Sequence, residues 1–510
     1  MLLATSMGGF APATAIEGLL GVSLTLRGAR VRFLLCDKAL PACLQTHDMP
    51  PDPGLLARYE LESALCNACY GRGSAAYATH GLPVWRFSEF VSSDERREAR
   101  ELANRVPYEE IPRYRWRDLA VGEHAQAGAL RFYARGHLAG ADGAETTLRR
   151  FFEASLVTAM VMRNLLARER IDRACFHHGI YVPQGLIAEA CRAASVPMVT
   201  WNVAYRKGCF LFSHDDTYHH TMLTEPLAAW EQMPWGPEKD REIVDYLDSR
   251  LTGTRDWIWF HEKPVEDVRR IADELGLDLD RPTIGLLTNV FWDAQLHYPA
   301  NAFEDMLDWV LKTIGYFARR TDLQLLIRIH PAEVRGNIPS RQPLLPEIQR
   351  VFRELPPNVF VIPPESNSST YAAMDLCDAV LIYGTKTGVE LSSRGIPVVV
   401  AGEAWVRGKG ITLDARSEEE YFGILDQLPL GGRLDEGTVT RARKYAYHFF
   451  LRRMIPLPFV EPVEGGPLSF SVEIEGLRDL LPGRSRGLDV ICDGILTGSP
   501  FIYPAELAAA

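Results

Sequence analysis

His330 stands in the run Arg328-Ile329-His330-Pro331, directly after an apolar stretch, and 55 residues later comes Thr385-Lys386-Thr387-Gly388-Val389-Glu390. An imidazole, two hydroxyls and an ammonium are groups that donate to phosphate oxygens. When a sugar leaves a nucleotide, negative charge grows on the departing phosphate. Fixed donors aimed at that phosphate stabilise the transition state more than the ground state. His330 is therefore the expected catalytic donor. Arg328, Thr385, Lys386, Thr387, Glu390 and Lys409 are expected to hold the nucleotide sugar, with Arg407 adding charge in the loop Gly402–Gly410. Glu390 has two readings: it binds ribose hydroxyls, or it closes an S/T-x-x-E capping box with Thr387.

An acceptor hydroxyl also needs a proton acceptor. Asp215 and Asp216, in Ser213-His214-Asp215-Asp216-Thr217-Tyr218-His219-His220, form the densest polar cluster of the first half and are the expected catalytic carboxylates. His177 and His178 are rivals, because they follow an apolar strand. The same cluster offers a metal set in His214, Asp216 and His220, or it is simply a polar loop. Asn289 and Asp293 either line the cleft or cap a helix. Ser368 and Ser369 read equally as helix caps and as ligand contacts.

These residues must be placed by strands. Leu323–Ile327, Ala379–Ile382 and Ile396–Val400 read as buried strands separated by helical stretches, with polar residues at their carboxyl ends, where open parallel sheets bind ligands. The first half repeats the plan. Leu2–Thr5 leads through Gly8-Gly9 and an apolar helix to Val31–Leu35, and Asp172–Phe176 leads through a helix to Pro197–Trp201. The Gly8-Gly9 pair permits a tight turn and close approach of a ligand at a helix start. The expected class is α/β: two facing, Rossmann-like doubly wound domains with a C-terminal helical extension. Expected boundaries are 1–280 for an acceptor-side domain, 281–430 for the nucleotide-sugar domain and 431–510 for an extension packing back on both.

A chain of 510 residues and 57.2 kDa exceeds one ordinary core. Its net charge of −11 excludes a protein that coats nucleic acid. No apolar run approaches the roughly 18 residues of a membrane span, and the N-terminus lacks the basic start of a signal peptide. The expected location is the cytoplasm. Of nine cysteines, Cys36, Cys43, Cys66 and Cys69 cluster, the last two as C-x-x-C, which raises a structural zinc site against small buried side chains. Cys175, Cys191, Cys209, Cys377 and Cys492 have core surroundings. The basic and aromatic run Arg441–Arg453 either packs across the domains or rests on the inner face of an anionic membrane, where a lipid-linked acceptor is found.

Arg328-Ile329-His330-Pro331-Ala332-Glu333, Thr385–Glu390 and Gly395-Ile396-Pro397-Val398-Val399-Val400-Ala401-Gly402 resemble the capsule polysaccharide biosynthesis proteins. These are GT-B-like glycosyltransferases related to bacterial Kdo transferases and polysialyltransferases. The resemblance covers about 283–415, and more loosely His177–His220. It implies transfer of a sugar, from a CMP-sugar, to a growing bacterial polysaccharide or lipid-linked glycan, with no cofactor required. It also implies that His330, Thr385 and Thr387 contact the nucleotide phosphate. Thr-Lys-Thr here replaces the family's serine pair. A nucleotide-sugar epimerase of the UDP-GlcNAc 2-epimerase type and a non-catalytic polysaccharide assembly or export protein are the alternatives.

Overall fold

The computed structural model of the protein describes residues 1–48, 61–260, 264–294, 296, 298–463 and 469–507. They form two compact units. The first comprises Met1–Thr221, Trp292–Leu296 and Arg453–Pro504, and the second Met222–Phe291, His297–Arg452 and Ala505–Ala510.

The first unit is built on strands β1 (Leu2–Ser6), β2 (Arg32–Leu35), β3 (Val84–Arg86), β4 (Ala174–His177), β5 (Met198–Val203) and β6 (Cys209–His214). All five residues of β1 are buried, as expected of a central parallel strand covered on both faces. The order is β6-β5-β4-β1-β2-β3, with β1 to β5 parallel and β6 antiparallel to β5. The short strand Ile455–Pro456 joins β6 at the edge. The helix Ala144–Arg168 buries Phe151, Phe152, Leu156 and Met160 in the main core of this unit.

The second unit contains β7 (Thr283–Leu287), β8 (Gln324–Arg328), β9 (Val359–Ile362), β10 (Ala379–Ile382), β11 (Val398–Val400) and β12 (Leu413–Asp414). Every pair is parallel, in the order β12-β11-β10-β7-β8-β9. Counted from β7, this is the 3-2-1-4-5-6 order of the dinucleotide-binding fold, whose ligand crevice opens where the order reverses. That switch point lies between β7 and β10. The expected α/β class with two Rossmann-like sheets holds.

The division along the chain differs from the expected boundaries at 280 and 430. The helix Pro237–Thr252 packs against the helix Glu436–Tyr447, so 222–280 groups with the second unit. The stretch 431–510 is no separate extension. Its helix Glu436–Tyr447 belongs to the second unit, and its segment 453–504 adds a strand to the first sheet and a helix, Arg486–Thr497, against Ala11–Leu26. Tyr445, Tyr447, Phe449 and Phe450 are almost wholly buried. The aromatic face of the Arg441–Arg453 run is therefore core, and it presents no aromatic surface to a membrane. Among the described residues no helix is long and apolar enough to cross a membrane.

Candidate functional site at the carboxyl edge of the second sheet

Three adjacent strands end in polar residues at one edge. β8 leads to His330, β7 to Thr288 and Asn289, and β10 to Gly384 and Thr385. Neighbouring strands lie about 4.8 Å apart, so the ends of β8 and β10 are about 10 Å apart. An imidazole side chain and one phosphate together bridge that span.

His330 is fixed on both sides. Its backbone N–H donates to Thr288 Oγ1 at 3.0 Å, its Nδ1 accepts from Ala332 N–H at 3.1 Å, and Phe260 stands edge-on to the ring. With Nδ1 used as an acceptor, the neutral ring carries its proton on Nε2. Thr385 Oγ1 accepts from Thr387 N–H at 3.3 Å and donates to Thr387 Oγ1 at 3.1 Å, which orders the Thr-Lys-Thr turn. The helix that follows, Thr387–Ser393, has seven residues. Its dipole is correspondingly short, and because Thr385 already donates to Thr387, it is the Thr387 hydroxyl whose proton can be directed elsewhere. Between the two, Asn289 Oδ1 is buried and has no hydrogen-bond partner among the described residues. A buried acceptor left unpaired costs about 1–3 kcal/mol, and a ligand hydroxyl or amino group would satisfy it.

The charged residues expected to join this set have other partners. Arg328, 1% exposed, donates to the carbonyls of Pro363 at 2.6 Å and Ser366 at 3.4 Å and to Thr370 Oγ1 at 3.3 Å. It ties down the loop after β9, because a buried guanidinium must be satisfied where it lies. In that loop Ser369 caps the helix Thr370–Asp375, and Ser366 donates to Ser368. Lys409, 2% exposed, donates to Leu223 O at 3.3 Å and lies over the Tyr445 ring. Arg407 donates to the carbonyls of Ala300, Gly402 and Ala415. Both hold the loop 402–410 against its own unit.

Glu390 closes no capping box with Thr387, because Lys386, not Thr387, is the N-cap of this helix. It is 1% exposed and meets Arg250 at 3.2 Å, Lys386 at 3.0 Å and the Tyr371 hydroxyl. Arg250 also pairs with Asp256, which accepts from Tyr246 at 2.8 Å. Burial alone would raise the Glu390 pKa, but Arg250, Lys386 and the Tyr371 hydroxyl hold it down at about 2. Two carboxylates and two cations form a neutral buried network under the Thr385–Thr387 turn. Arg250, Asp256 and Tyr371 escaped the sequence reading, since nothing local marks them.

The first unit places its expected residues differently. Because β6 runs antiparallel, its end lies at the edge where the parallel strands begin. Asp215 there accepts from Met198 N–H at 3.1 Å, at the start of β5. Asp216 accepts from Thr217 N–H at 2.7 Å and from His220 Nδ1 at 3.1 Å. Asp215 thus closes a turn at the start of β5, while Asp216, whose carbonyl accepts from Thr200 Oγ1 at 2.7 Å, leads into the helix Tyr218–Thr224. His214 Nε2 meets Ser499 O at 2.9 Å rather than a shared metal position. Among the described residues no group of three or more His, Cys, Asp or Glu side chains is arranged to hold a metal ion.

His177 and His178 do end β4 at the carboxyl edge. His177 Nε2 is 3.1 Å from Asn202 Oδ1, and burial lowers its pKa to about 4. His178 adopts φ 63° and stacks on His219. Asp293 is bound by Arg131 and by the Tyr181 hydroxyl, each at 2.5 Å. Gly8 serves packing rather than a ligand. A Cβ there would meet Cys69 O at 2.3 Å and Gly73 Cα at 2.5 Å, so the close approach is by the helix Leu61–Ala78.

No family model matches the chain, and no curated protein matches it. Among solved structures it is similar to the β-Kdo 2,4-transferase KpsC of Thermosulfurimonas dismutans, at 12% identity over 54% of this chain and 79% of that one, with a TM-score of 0.34. It is similar to the UDP-GlcNAc 2-epimerase of Neisseria meningitidis bound to UDP-GlcNAc, at 14% identity over 57% and 80%, with a TM-score of 0.29. It is also similar to the glycosyltransferase SsfS6 of Streptomyces sp. SF2575, at 13% identity over 87% and 94%, with a TM-score of 0.23.

Proposed function

We propose that the protein is a glycosyltransferase that moves a sugar from a nucleotide-activated donor, a CMP-sugar, to a growing bacterial surface polysaccharide or lipid-linked glycan on the cytoplasmic side of the membrane. The observation that carries this reading is the edge of the second sheet. His330, Asn289 and the Thr385–Thr387 turn share one edge at a topological switch point, and Asn289 Oδ1 is buried there without a partner. His330 and the threonine hydroxyls stabilise the leaving phosphate as the anomeric C–O bond breaks. Asn289 accepts from a hydroxyl or amino group of the donor.

The donors offered are neutral. Arg328, Lys386, Arg407 and Lys409 each bind protein acceptors. An edge of this kind suits one phosphodiester charge, as in a CMP-sugar, better than the larger charge of a pyrophosphate.

A thermal-shift screen with CMP, UDP and GDP tests the donor site. A nucleotide at 100 times its Kd stabilises by about 2.7 kcal/mol, and CMP is expected to act most strongly. Failure of all three overturns the reading in favour of a non-catalytic assembly protein. On the confirmed donor, His330→Ala is expected to lower turnover by roughly 10²–10³-fold. A folded variant losing less than about tenfold removes His330 from the mechanism. Conversion of donor alone to an epimer would replace transfer with epimerisation.

A further inference from the structure

The first sheet has a switch point of its own. β2 and β4 flank β1 on opposite sides, so the strand order reverses between β1 and β4, where such sheets open a crevice at their carboxyl ends. Leu2 stands opposite Ala174 and Leu3 opposite Cys175, and the same register carried two residues on sets Thr5 beside His177. The His177 N–H donates to Thr5 Oγ1 at 2.8 Å, and Gln184 Nε2 donates to Thr5 O at 3.1 Å. Both residues are thus pinned to the end of β1 at the crevice.

Each of these side chains keeps one acceptor in hand. Gln184 is 0% exposed and His177 5%, and Gln184 Oε1 and His177 Nδ1 are buried with no hydrogen-bond partner among the described residues. Buried polar atoms are nearly always paired. The His177 ring is neutral at pH 7, since burial lowers its pKa to about 4. Its Nε2 faces Asn202 Oδ1 at 3.1 Å, which only accepts, so the proton sits on Nε2 and Nδ1 offers a lone pair. Arg131, whose charge is felt at His177, is paired with Asp293. The backbone bends on both banks of the crevice. Ser6, the last residue of β1, and His178, the first beyond β4, are non-glycine residues at φ 63°, a conformation that gathers at ligand sites. The Phe10 ring, partly exposed in the turn after β1, stands 5.0 Å from the His177 ring.

We propose that the switch point between β1 and β4 binds an uncharged sugar ring, with Gln184 Oε1 and His177 Nδ1 accepting from its hydroxyls and Phe10 covering one of its faces. Two uncharged acceptors call for a ligand that gives protons without bringing a charge. An ionised phosphate or carboxylate would set lone pair against lone pair, and a cation would find no carboxylate on either residue. Sugar hydroxyls give a proton to each acceptor, and the ring face lies on Phe10, in the manner of sites that set a few polar groups in an apolar wall. The sugar taken is therefore neutral rather than acidic. Its identity as part of the acceptor glycan rests on the glycosyltransferase reading above; the binding itself does not.

The test is saturation-transfer NMR on the full-length protein without nucleotide, using the methyl glycosides of glucose, galactose, N-acetylglucosamine and glucuronic acid at millimolar concentration. Transfer to the ring protons of at least one neutral glycoside is expected, and little or none to the glucuronide. Gln184→Leu, which keeps the shape and removes the acceptor, is expected to abolish that transfer, with circular dichroism reporting the fold. If it fails to fold, the partly exposed Phe10 carries the comparison: Phe10→Ala should lose the transfer and Phe10→Trp keep it. Absence of transfer to every neutral glycoside overturns the proposal. So does a stronger signal from the glucuronide, or transfer retained in folded Gln184→Leu or in Phe10→Ala. The CMP thermal shift reports separately on the second unit. Sugar binding without any nucleotide shift overturns the glycosyltransferase reading and leaves this site standing, whereas a nucleotide shift without sugar binding overturns this site alone.

Discussion

Replacing Arg250 with methionine should expose what the buried ionic network contributes. Arg250, Asp256 and Glu390 have side chains only 6%, 7% and 1% exposed, so solvent cannot take over the role of the lost guanidinium. In Arg250→Met, Glu390 keeps Lys386 and Tyr371, and Asp256 keeps only Tyr246. Removing one member of a buried pair costs about 3–5 kcal/mol. A second route gives a similar size. Glu390 is held at about 2 against an ordinary 4.5, which at 1.36 kcal/mol per unit corresponds to about 3 kcal/mol. For a unit of this size the melting temperature should fall by roughly 6–20 °C. The pH dependence follows from a depressed carboxylate. Its stabilisation is complete above about 4.5 and is lost as the pH falls toward 2. The gap between wild type and variant should therefore be widest at pH 7 and shrink below pH 4.5. Urea unfolding at pH 7 and pH 3 measures it, and adding Glu390→Gln should recover part of the loss. A gap below about 1 kcal/mol at pH 7, or one that is equal at both pH values, refutes the reasoning.

Glu17 gives the opposite sign. It is buried among Thr5 and Tyr77 with no cation beside it among the described residues, and burial pushes its pKa up to about 7 despite the hydrogen bonds from these residues. The native state holds this proton more tightly than the unfolded chain. Stability should fall by up to about 3 kcal/mol as the pH rises from 4.5 to 7 and level off above. Glu17→Gln should remove that slope in urea unfolding, and an unchanged slope would show the group to be ordinary. Two glycines should respond in opposite directions to alanine. At Gly315, inside the helix Met306–Phe317, a Cβ meets nothing within 4 Å, so Gly315→Ala should stabilise by about 0.5–1 kcal/mol. At Gly122 the new Cβ would lie 1.7 Å from Ile111 O, and Gly122→Ala should cost at least about 2 kcal/mol, read by thermal melting.

The sheet of the second unit was legible because a parallel sheet buries its strands on both faces. Continuous apolar runs ending in polar residues therefore mark the strands and their carboxyl edge together. His330 and the Thr385–Thr387 turn follow β8 and β10 at that edge, as the rule expects of residues after such strands. Asp215 lies away from the carboxyl edge for one topological reason. β6 reads as a strand in the same way as its parallel neighbours, and nothing local shows that it turns back. One reversed strand carries its last residues to the opposite edge of the sheet. The units were misdivided for a similar reason, because the helix Pro237–Thr252 finds its partners about 200 residues later in the chain.

Charge misled most. In sequence, Arg328, Lys386, Glu390, Arg407 and Lys409 surround the motifs expected to bind phosphate and read as their charged lining. In the fold each meets a protein partner, some of them local, as Lys386 with Glu390 and Arg407 with Gly402 O, and some distant. Arg250 reaches Glu390 across 140 positions of sequence, and Leu223 O reaches Lys409 across 186. A charged side chain near a site in sequence is thus as apt to be neutralised as to be presented, because a buried charge needs a partner wherever the chain can supply one. This decides what the edge can recognise. On the proposed reading its donors are the His330 imidazole and the threonine hydroxyls, ordered by local backbone bonds, and its orphan is the acceptor Asn289 Oδ1. Such a set discriminates by hydrogen-bond geometry rather than by attraction to total charge. Nucleotide binding there should consequently vary little with salt, and a CMP-induced thermal shift that collapses between 50 and 500 mM salt would show that a cation, not His330 and the threonines, holds the phosphate.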